Sequence, residues 1–483
     1  MLDVDSNRQT MRLRIGGAWT AAADGAETEV VDPATGEPIG TVANADVADG
    51  LQAVAAAAEA QPGWAATAPR ERGEVLRRAY ELLVTERDAF ADLIVRENGK
   101  PLAEARGELG QAAEFLRWFS EEAVRIDGQL SVSPGGDKRI LVSHKPVGVS
   151  LCITPWNFPA AMITRKLAPA LAAGCTTILK PAPETPFTAF AIVELLERAG
   201  IPDGVINVVP SDRPAAMVTE MLAHPAVRKL SFTGSTETGR ALLAASAQHV
   251  INPSMELGGN APFILFEDAD LDAAVDAAVI TKMRNNGQSC TAANRFYVAE
   301  QVAEEFTARL AQAVSTMPLG SGFEDGVQLG PLITTAARDK VGSLTQAAVD
   351  TGAAVRTGGS AADRPGYFFL PTVLGGLAVD DDILGQEIFG PVAPVVPFGD
   401  FDEVLPAING VEHGLVAYVY TGDLARGLRV SESLETGMVG LNQALVAEPA
   451  APFGGVKQSG LGREGGHHGI QEFLEPLYIA TNW

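Results

Sequence analysis

The sequence predicts an α/β fold made of two successive α/β halves. From about Arg139 onward, short runs rich in β-branched residues alternate with segments of helical periodicity, which is typical of βαβ units around a largely parallel sheet. A second series with the same alternation begins near Glu256 and continues to Gly440. At roughly 150 residues per domain, the 483 residues suffice for about three domains or large subdomains.

The individual elements follow in order along the chain. The amino-terminal 125 residues predict a short strand pair, MRLRIGGAWT and EVVDPATGEPIGTV, and then amphipathic helices around 46–60, 69–97 and 101–125. The first α/β series contains the strands ILVSH, GVSLCIT, TTILKP, VINVVP and KLSFTG, with helices between most of them. The second series opens with the strand APFILF, the helix DLDAAVDAAVITKMRNN and the strand NRFYVA. Segments 126–145 and 474–483 predict extra strands that belong to neither half.

The charge balance excludes several classes of partner. The chain has 36 Lys plus Arg and 60 Asp plus Glu, which gives a formal net charge of −24. Such a surface repels nucleic-acid backbones and anionic membranes, so neither is expected as a partner. No run of about 18 uncharged apolar residues predicts a membrane span. An anionic small molecule would require its own local cationic side chains on this chain.

The cysteines indicate a reducing compartment, and we expect the cytoplasm. Cys152, Cys175 and Cys290 are odd in number and widely spaced, so they predict neither a disulfide framework nor a CxxC metal site. The acidic N-terminus does not have the form of a secretory signal. His467 and His468 have no partner ligands in the sequence, and no metal is expected.

Cys290 is the candidate nucleophile. It lies in MRNNGQSCTAANR, where a polar, glycine-containing loop joins a predicted helix to a predicted strand. An accessible thiol in such a loop is suited to nucleophilic attack, whereas the apolar surroundings of Cys152 and Cys175 are typical of inert core cysteines. A core role is the alternative for Cys290. Because an unperturbed thiol has a pKa of about 8.5, the nucleophile needs a neighbouring base or dipole.

Two further side chains have the chemistry that this nucleophile requires. Glu256, in SMELGGNAP, ends a predicted strand before two glycines, so its carboxylate is a candidate base toward a thiol or a water. A solvated loop acid is the alternative. Asn157, in TPWNFP, stands between a predicted strand and a helix, where its amide is suited to donate a hydrogen bond to an oxyanion. A turn or cap role is the alternative for Asn157.

The stretch SFTGSTETGR, residues 231–240, predicts an anion site. It runs from a strand through Gly234 into a helix whose first turn includes Ser235. The free backbone N–H groups at such a helix start suit a pyrophosphate. The glycine spacing is GxxxxG, which differs from both the GxGxxG and the P-loop patterns.

Together these segments resemble the aldehyde dehydrogenase superfamily, over nearly the whole chain after about Leu13. The resemblance rests on seven segments in the family's order and approximate spacing: ITPWNFP, LKPAPETP, SFTGSTETG, MELGGN, NNGQSC, EIFGP and PFGGVKQSGLGREGG. One such segment carries little weight, whereas seven in order are specific. The resemblance implies a cofactor-binding domain, a catalytic domain and a small β arm that joins subunits.

The implied domains map onto the chain as follows. Residues 1–125 and 146–256 correspond to a Rossmann-like cofactor-binding domain, and residues 257–458 to the catalytic domain. Residues 126–145 and 459–483 correspond to bridging segments. Through these segments we expect a homodimer or homotetramer.

The resemblance also implies a set of functional residues. Cys290 matches the nucleophile, Glu256 the general base and Asn157 the oxyanion donor, which the Cys290 backbone N–H assists. Lys180 and Glu387 match residues that hold the two ribose hydroxyl pairs. The full set of cofactor-contacting positions that it implies is Thr154, Pro155, Trp156, Lys180, Pro183, Ser211, Phe232, Gly234, Ser235, Leu257, Glu387 and Phe389.

The implied reaction is NAD(P)-dependent oxidation of an aldehyde to a carboxylate. Attack by Cys290 gives a thiohemiacetal, and its collapse transfers hydride to the nicotinamide. Glu256 then activates the water that hydrolyses the remaining thioester. The presence of Glu256 argues against the acyl-CoA-forming branch of similar proteins, which lacks it.

Three segments resemble the succinate-semialdehyde dehydrogenases within this family, namely WNFPAAMITRK, KMRNNGQSC and APFGGVKQSGLGREG. Arg165 and Arg284 match two arginines that bind the far carboxylate of the substrate, with a structural or surface role as the alternative. Ala447 and Phe453 match further substrate-contacting positions. The subfamily often has a serine near Ala447, whereas this chain has Glu448 beside it, which is expected to repel a carboxylate unless it points away.

NADP is expected to be accepted. NAD-preferring relatives typically carry a glutamate three residues after the ribose-binding lysine, whereas Pro183 stands three residues after Lys180. Ser211 and Arg213 are candidates to approach a 2′-phosphate, so a preference for NADP is one outcome. Glu184 is the feature that would instead restore a preference for NAD.

The leading expectation is oxidation of succinic semialdehyde. Glutaric or 2-oxoglutaric semialdehyde, or an uncharged aliphatic or aromatic aldehyde, are the alternatives within the same chemistry. A noncatalytic cofactor-binding protein with the same fold is the alternative from another class. The intact set of nucleophile, base, oxyanion donor and ribose-binding residues argues against it.

Overall fold

The computed structural model describes residues 10–482. The first nine residues and Trp483, which the predicted domains include, lie outside the described residues. The helices are α1 (Val47–Ala66), α2 (Pro69–Thr85), α3 (Arg87–Asn98), α4 (Leu102–Glu122), α5 (Pro159–Ala173), α6 (Pro186–Arg198), α7 (Pro214–Ala223), α8 (Thr236–Ala247), α9 (Leu271–Met283), α10 (Glu300–Ser315), α11 (Thr335–Asp350), α12 (Phe401–Asn409), α13 (Leu424–Ser433) and α14 (Gly466–Gln471). Single 3₁₀ turns span Arg284–Gly287 and Asp382–Gly385.

The strands fall into two large and three small sheets. They are β1 (Leu13–Ile15), β2 (Ala18–Thr20), β3 (Glu27–Asp32), β4 (Glu37–Ala43), β5 (Gln129–Val132), β6 (Arg139–Pro146), β7 (Val149–Ile153), β8 (Thr177–Lys180), β9 (Ile206–Val208), β10 (Val227–Thr233), β11 (Asn252–Glu256), β12 (Ala261–Leu265), β13 (Ala293–Ala299), β14 (Ala354–Thr357), β15 (Thr372–Gly375), β16 (Val392–Phe398), β17 (His413–Gly414), β18 (Val416–Tyr420), β19 (Met438–Leu441), β20 (Val456–Lys457), β21 (Gly460–Leu461) and β22 (Leu474–Thr481).

The first large sheet has the order β2-β1-β9-β8-β7-β10-β11-β21. The run from β9 to β11 is parallel, and antiparallel strands flank it on both sides. Every residue of β7, β8 and β9 is buried, because helices cover both faces, as expected for a parallel sheet. The amino-terminal strands β1 and β2 and the short β21 therefore extend this sheet rather than forming a separate layer.

The second large sheet has the order β14-β15-β16-β13-β12-β18-β19. Neighbouring strands in this sheet pair in parallel, except that β14 pairs antiparallel with β15. Its strands β12, β13 and β18 are buried at every position, and β13 includes the buried polar residues Asn294 and Arg295. The two α/β halves that the sequence predicts thus correspond to two sheets, each with its own hydrophobic core.

Helix α5 is the central helix of the molecule, since all of its residues are buried. Pro159 occupies its first position, where the missing N–H costs no hydrogen bond, and Gly174 ends it in the left-handed conformation at φ 96°. The helix has no exposed polar face, and two of its buried residues, Arg165 and Lys166, are charged. Buried charges of this kind require partners, which the site supplies.

A separate three-stranded antiparallel sheet has the order β22-β6-β5. Its outer surface exposes apolar side chains, among them Leu130, Val132 and Tyr478. Within residues 10–482, no helix has both the length and the apolar character needed to cross a membrane.

Candidate active site

The parallel strands of the first sheet end side by side. Ile153, the last residue of β7, pairs with Lys180, the last residue of β8. Thr233, the last residue of β10, pairs with Glu256, the last residue of β11. The segments that follow these strands therefore meet at one edge, which is where α/β proteins bind ligands.

The nucleophile loop approaches this edge from the second sheet. The chain passes from Glu256 through a short Leu-Gly-Gly-Asn segment into β12, whose first residue pairs with the first residue of β13. Cys290 lies just before β13. A Cβ added at Gly259 would lie 2.3 Å from the Cys290 carbonyl oxygen, so the two segments touch backbone to backbone. The candidate site thus lies between the two sheets.

The loop that carries Cys290 has a tightly determined backbone. Asn285 and Asn286 both adopt left-handed conformations, at φ 50° and 55°, which asparagine tolerates better than most residues. The Gly330 N–H donates to the Asn286 side chain at 2.9 Å, and the Ile333 N–H donates to that of Gln288 at 2.9 Å. These bonds fix the loop on both sides, and Cys290 is left half-buried with a free thiol.

Asn157 is fastened to the same loop. Its side-chain Nδ2 donates to the Gln288 carbonyl at 3.1 Å, and its Oδ1 accepts from the Phe158 N–H at 3.1 Å. Its backbone carbonyl accepts from Lys100 at 2.8 Å and from Asn285 at 2.9 Å. A carboxamide nitrogen has two N–H donors, so one remains after the bond to Gln288. The orientation of this donor is therefore set before any substrate binds.

Glu256 is buried, and its Oε2 has no hydrogen-bond partner in the described chain. A Cβ added at Gly454 would lie 2.9 Å from Oε1, so only glycine leaves room for this carboxylate. Burial raises the pKa of Glu256 well above its ordinary value, and the nearby Glu464 carboxylate raises it further. Such a carboxylic acid keeps its proton to higher pH than an exposed one, and its carboxylate form is a stronger base.

The neighbours of Glu256 form a buried charged network. Lys166 donates to Glu464 at 2.7 Å and to Ser231 at 3.0 Å. The second oxygen of Glu464 lies 3.6 Å from Nη1 of Arg165. This network places both acidic and basic groups beside the site, and Glu464, Lys166 and Ser231 were not among the predicted site residues.

The surroundings of the Cys290 thiol favour its protonated form. Burial raises its pKa to about 12, with further increases from the Glu387, Glu256 and Glu464 carboxylates, and the Arg165 guanidinium opposes the rise. Attack by this sulfur therefore requires a group that takes its proton.

The predicted ribose-binding residues flank the strand ends. Lys180 is buried, and burial lowers the pKa of its amine to about 8 in spite of the Glu184 and Asp212 carboxylates nearby. Glu387 accepts a hydrogen bond from the Gly259 N–H at 2.9 Å. A Cβ added at Gly258 would lie 2.7 Å from its second carboxylate oxygen, so the glycine pair after Glu256 makes room for Glu387.

The predicted pyrophosphate turn lies at the start of α8. Ser235 is the N-cap, and its hydroxyl accepts from the Thr238 N–H at 3.3 Å. The Gly234 N–H donates to the Glu256 carbonyl at 3.1 Å, and the Phe232 ring packs so closely over Gly234 that an added Cβ would lie 2.4 Å from it. The side chain of Leu257 packs against this helix at Gly239.

The other predicted cofactor positions surround the same edge. The Thr154 N–H donates to the Lys180 carbonyl at 3.2 Å. Trp156 meets Phe389 edge to face, with ring centroids 5.6 Å apart, and Phe389 holds a left-handed backbone at φ 55°. Of the remaining predicted positions, Pro155 and Pro183 are half-buried and Ser211 is buried.

These residues fit an NAD(P) molecule. The buried Lys180 amine, the Glu387 carboxylate held by one backbone N–H, and the N-terminus of the twelve-residue helix α8 all converge on one edge. Hydroxyl pairs are recognised by such charged groups, and a pyrophosphate by such a helix start. Among the described residues, no group of three or more His, Cys, Asp and Glu side chains is arranged to hold a metal ion.

Arg165 is 3% exposed and lies between two aromatic rings. Its guanidinium carbon is 4.2 Å from the Phe453 ring centroid and 5.1 Å from that of Phe115. Its Nε and Nη1 have no hydrogen-bond partner among the described residues. The Glu464 carboxylate, 3.6 Å from Nη1, offsets part of this charge, and Nε remains able to donate to an anionic group.

Arg284 lies in a neighbouring cavity of about 690 Å³. Its guanidinium carbon is 5.0 Å from the Phe158 ring centroid, and Ala447 lies on the wall of the same cavity. Helix α4 connects the two arginines, because Gln111 lines the cavity and Phe115, one turn later, packs on Arg165. The structure thus places Arg165 and Phe453 beside this cavity rather than among its lining residues.

Comparison with known proteins decides the family. Residues 19–479 match the family model described as the aldehyde dehydrogenase family. The chain belongs to the aldehyde dehydrogenase family. It is 53% identical over 92% of its length to a succinate-semialdehyde dehydrogenase of Paenarthrobacter nicotinovorans, of which 98% is covered. It is 50% identical to a glutarate-semialdehyde dehydrogenase of Pseudomonas aeruginosa, with 96% of each chain covered.

Solved structures agree with this assignment. A crystal structure of succinate-semialdehyde dehydrogenase from Burkholderia pseudomallei superimposes with a TM-score of 0.97 at 49% identity and covers 99% of both chains. The predicted aldehyde dehydrogenase-like α/β fold is confirmed, and so are the predicted enzyme class and its dependence on NAD(P). The protein is an aldehyde dehydrogenase that acts on an aldehyde substrate.

Several residues of the site escaped sequence reasoning. Gly259 lies against Cys290 and Gly454 against Glu256. Both stand in segments that the sequence singled out, the glycine pair after Glu256 and PFGGVKQSGLGREGG, without a role assigned to either glycine. Phe115 and Glu464 meet Arg165 from positions 50 residues before it and 299 residues after it. Contacts at such separations leave no local pattern in a single sequence.

Proposed function

We propose that this aldehyde dehydrogenase oxidises a semialdehyde with a carboxylate at its far end, and that succinic semialdehyde is its substrate. Arg165 carries the proposal, because it is a buried guanidinium whose Nε has no hydrogen-bond partner among the described residues and whose Nη1 is 3.6 Å from a Glu464 oxygen without a hydrogen bond. The positive charge of Arg165 lowers the pKa of the Cys290 thiol, which supports a position of Arg165 near the nucleophile. Arg284 supplies a second cation in the adjoining cavity. Ala447 and Phe453 complete the proposed substrate contacts.

The proposed mechanism begins at Cys290. A base takes the thiol proton, the sulfur attacks the aldehyde carbon, and the new oxyanion is stabilised by the free N–H of Asn157 and by the Cys290 backbone N–H. NAD(P), when bound, supplies the hydride acceptor. After hydride leaves the carbon, a thioester remains on Cys290. Glu256 then takes a proton from water, the hydroxide attacks the thioester, and the carboxylate product and the thiol are released.

We propose that the enzyme uses both NAD and NADP, with NADP well tolerated. Pro183 places no charge three residues after Lys180, so it does not oppose a 2′-phosphate. The Ser211 hydroxyl accepts from the Arg213 N–H at 3.3 Å, next to Lys180 in the proposed cofactor site. Glu184 and Asp212 oppose the binding of a 2′-phosphate, because they are negatively charged. Their carboxylates also raise the pKa of the Lys180 amine.

The remaining proposals concern the state of the protein in the cell. We propose that residues 126–145 and 459–483 form an oligomerisation arm between subunits, with residues 1–125 and 146–256 as the cofactor domain and 257–458 as the catalytic domain. The exposed apolar surface of β5 and β22 supports a homodimer or homotetramer. The free thiols of Cys152, Cys175 and Cys290 support a cytoplasmic location.

Two alternatives concern the substrate. The glutarate-semialdehyde dehydrogenase at 50% identity favours the five-carbon semialdehyde as the second candidate. An uncharged aldehyde would leave Arg165 unused. A noncatalytic binding protein is a remote alternative, and measurable turnover of any aldehyde excludes it.

The experiment is an initial-rate comparison of succinic semialdehyde, butyraldehyde and benzaldehyde, each with NAD and with NADP. We expect kcat/KM to be highest for succinic semialdehyde. In Arg284→Ala, loss of a charged hydrogen bond worth about 1.5–3 kcal/mol should raise KM for that substrate roughly 10- to 100-fold. Arg309→Ala, which removes an exposed arginine on α10, is the matched control. Equal effects of Arg284→Ala on succinic semialdehyde and butyraldehyde would contradict the proposal.

A further inference from the structure

Gln288 stands between the two groups that the proposed mechanism uses to bind the oxyanion. Its backbone carbonyl accepts the side-chain hydrogen bond of Asn157 at 3.1 Å, and Cys290 follows it by two residues. Stabilisation of an oxyanion requires donors that lie about 2.7–3.1 Å from one point. The backbone of Gln288 therefore connects the Asn157 amide to the Cys290 N–H.

The turn that precedes Gln288 has an unfavourable backbone. Three successive residues are left-handed, namely Asn285 at φ 50°, Asn286 at φ 55° and Gly287 at φ 72°. For a residue with a side chain this conformation is costly, and it persists only where the surrounding structure imposes it. Within the turn, the Gln288 N–H donates to the Asn285 carbonyl at 3.0 Å. Further support has to come from outside the turn.

The support comes from the segment just before α11. The Gln288 Oε1 accepts from the Ile333 N–H at 2.9 Å, and its Nε2 donates to the Pro331 carbonyl at 3.3 Å. One carboxamide thus bonds backbone groups that are two residues apart, and it is 1% exposed. Asn286 makes a similar pair of bonds, with the N–H and the carbonyl of Gly330.

This segment, residues 330–333, also contacts the part of the chain that holds Asn157 from the other side. A Cβ added at Gly330 would lie 2.2 Å from the Gly99 carbonyl oxygen, so the two backbones touch. Lys100 follows Gly99, and its amine donates to the Asn157 backbone carbonyl at 2.8 Å. The segment 330–333 is therefore in contact both with the nucleophile loop and with the residues that fix Asn157.

We propose that Gln288 is a positioning residue whose carboxamide keeps the Asn157 amide and the Cys290 N–H in the relative position that oxyanion binding requires. The proposal rests on the proposed function, because it requires the roles given there to Cys290 and Asn157. Gln288 acts through these two residues and takes no part in proton or hydride transfer. A displacement of about 1 Å at a catalytic group can lower the rate about 100-fold.

The test is Gln288→Met, which keeps the length of the side chain and removes both of its bonds to the segment 330–333. The variant is made in the Glu256→Gln background, where thioester hydrolysis is expected to stop. The burst of reduced nicotinamide is then followed with succinic semialdehyde and NAD. Its amplitude counts working subunits, whereas its rate constant reports oxyanion formation and hydride transfer.

We expect the burst rate constant to be about 10- to 100-fold lower than in Glu256→Gln alone. The burst amplitude should stay close to one per subunit, and Kd for NAD should stay unchanged. A merely structural role of Gln288 predicts the reverse, namely a reduced amplitude from fewer folded subunits and an unchanged rate constant.

Gln61 of α1 offers a matched control. Its Nε2 donates to the Gly174 carbonyl at 3.0 Å and its Oε1 accepts from the Thr176 N–H at 2.7 Å, so this carboxamide also joins backbone groups two residues apart. Thr176 lies just before β8, at the opposite end of that strand from Lys180. Gln61→Met should lower the urea midpoint of unfolding, as Gln288→Met does, and leave the burst rate constant unchanged.

A second substitution covers the case in which Gln288→Met does not fold. Gln288→Glu keeps an acceptor for the Ile333 N–H and replaces the donor to the Pro331 carbonyl by an oxygen, so its burst rate constant should also fall. An unchanged rate constant in the folded Gln288 variant overturns the proposal, and so does equal slowing in Gln61→Met.

Asn157→Ala, in the same background, separates this proposal from the proposed mechanism. A slow burst in Asn157→Ala together with a normal burst in Gln288→Met overturns the role of Gln288 and leaves the mechanism intact. A normal burst rate constant in both variants overturns the oxyanion role of Asn157 as well.

Discussion

Glu256 combines burial with an unpaired carboxylate oxygen. No hydrogen-bond donor among the described residues reaches its Oε2, and Glu464 adds a second negative charge nearby. Buried acids of this kind remain protonated to higher pH than exposed ones. The proposed base is therefore inactive at low pH for a reason that lies in its surroundings, namely desolvation and a like charge.

This environment predicts the pH dependence of thioester hydrolysis. Because the pKa of Glu256 is raised, its base form is lost as pH falls through that pKa and gained as pH rises through it. We expect steady-state kcat to increase as pH rises through the raised pKa of Glu256. Glu256→Gln should retain a first burst of reduced nicotinamide and lose steady turnover at every pH. Unchanged steady turnover in this variant would exclude Glu256 as the base.

Single residues of the site were partly predictable. Three site residues stand in short polar segments next to strand or helix ends, namely Cys290, Glu256 and Asn157. Such segments indicate candidate catalytic residues in the sequence itself. The surroundings of Arg165 were not predictable, since its rings Phe115 and Phe453 come from distant parts of the chain. Side-chain contacts between remote segments depend on packing, which no local pattern encodes.

At the level of elements, a buried ion pair at the start of α4 also contacts the start of α5 and the residues just before it. Lys100, just before α4, lies 2.5 Å from Glu108, and both side chains are fully buried. Glu108 also accepts from the Ala160 N–H at 2.8 Å, which satisfies the first turn of α5. Since Lys100 also donates to the Asn157 backbone carbonyl, this pair helps to fix the position of the proposed oxyanion donor.

Removing one partner of this pair should destabilise the protein strongly. Lys100→Met leaves the Glu108 carboxylate buried without its cation, which costs about 3–5 kcal/mol. The exposed pair between Arg106 of α4 and Asp88 of α3 gives the control, because Arg106→Met should cost about 0–1 kcal/mol. Thermal or urea unfolding measures both. Equal losses of unfolding free energy in the two variants would contradict the importance of the buried pair.

The order of elements was predictable and their pairing was not. Alternating hydrophobic runs and helical periods predicted β7, α5, β8, α6 and β10 in sequence, because buried parallel strands carry continuous apolar runs. The addition of β1 to β9 depends on the single pair Arg14–Val208, and that of β21 to β11 on two residue pairs. Such short pairings are decided by tertiary packing.

For the whole molecule, the sheet β22-β6-β5 is the feature whose apolar side chains the single chain leaves exposed. Leu130 is 65% exposed, Val132 51% and Tyr478 56%, although β-strand surfaces of this character are usually covered. The sequence predicted these strands as segments outside both halves. A second copy of the chain is the partner that we propose for this surface.

Charge on this surface should disrupt the proposed assembly. We expect the wild type to form a dimer or tetramer by size-exclusion chromatography with light scattering. Leu130→Asp combined with Tyr478→Asp should shift the protein to smaller species, because burying unpaired carboxylates is costly. Val84→Asp, at an exposed apolar position on α2, is the control and should leave the assembly unchanged. A monomeric wild type would refute the oligomerisation arm.

The most direct test of the account is the identity of the covalent intermediate. Glu256→Gln is mixed with succinic semialdehyde and NAD, quenched after the first burst, and analysed by intact mass and peptide mapping. We expect a burst of one reduced nicotinamide per subunit, and a succinyl group on the peptide that contains Cys290. Reduced nicotinamide without an acyl group on Cys290, or an acyl group on another residue, would contradict it.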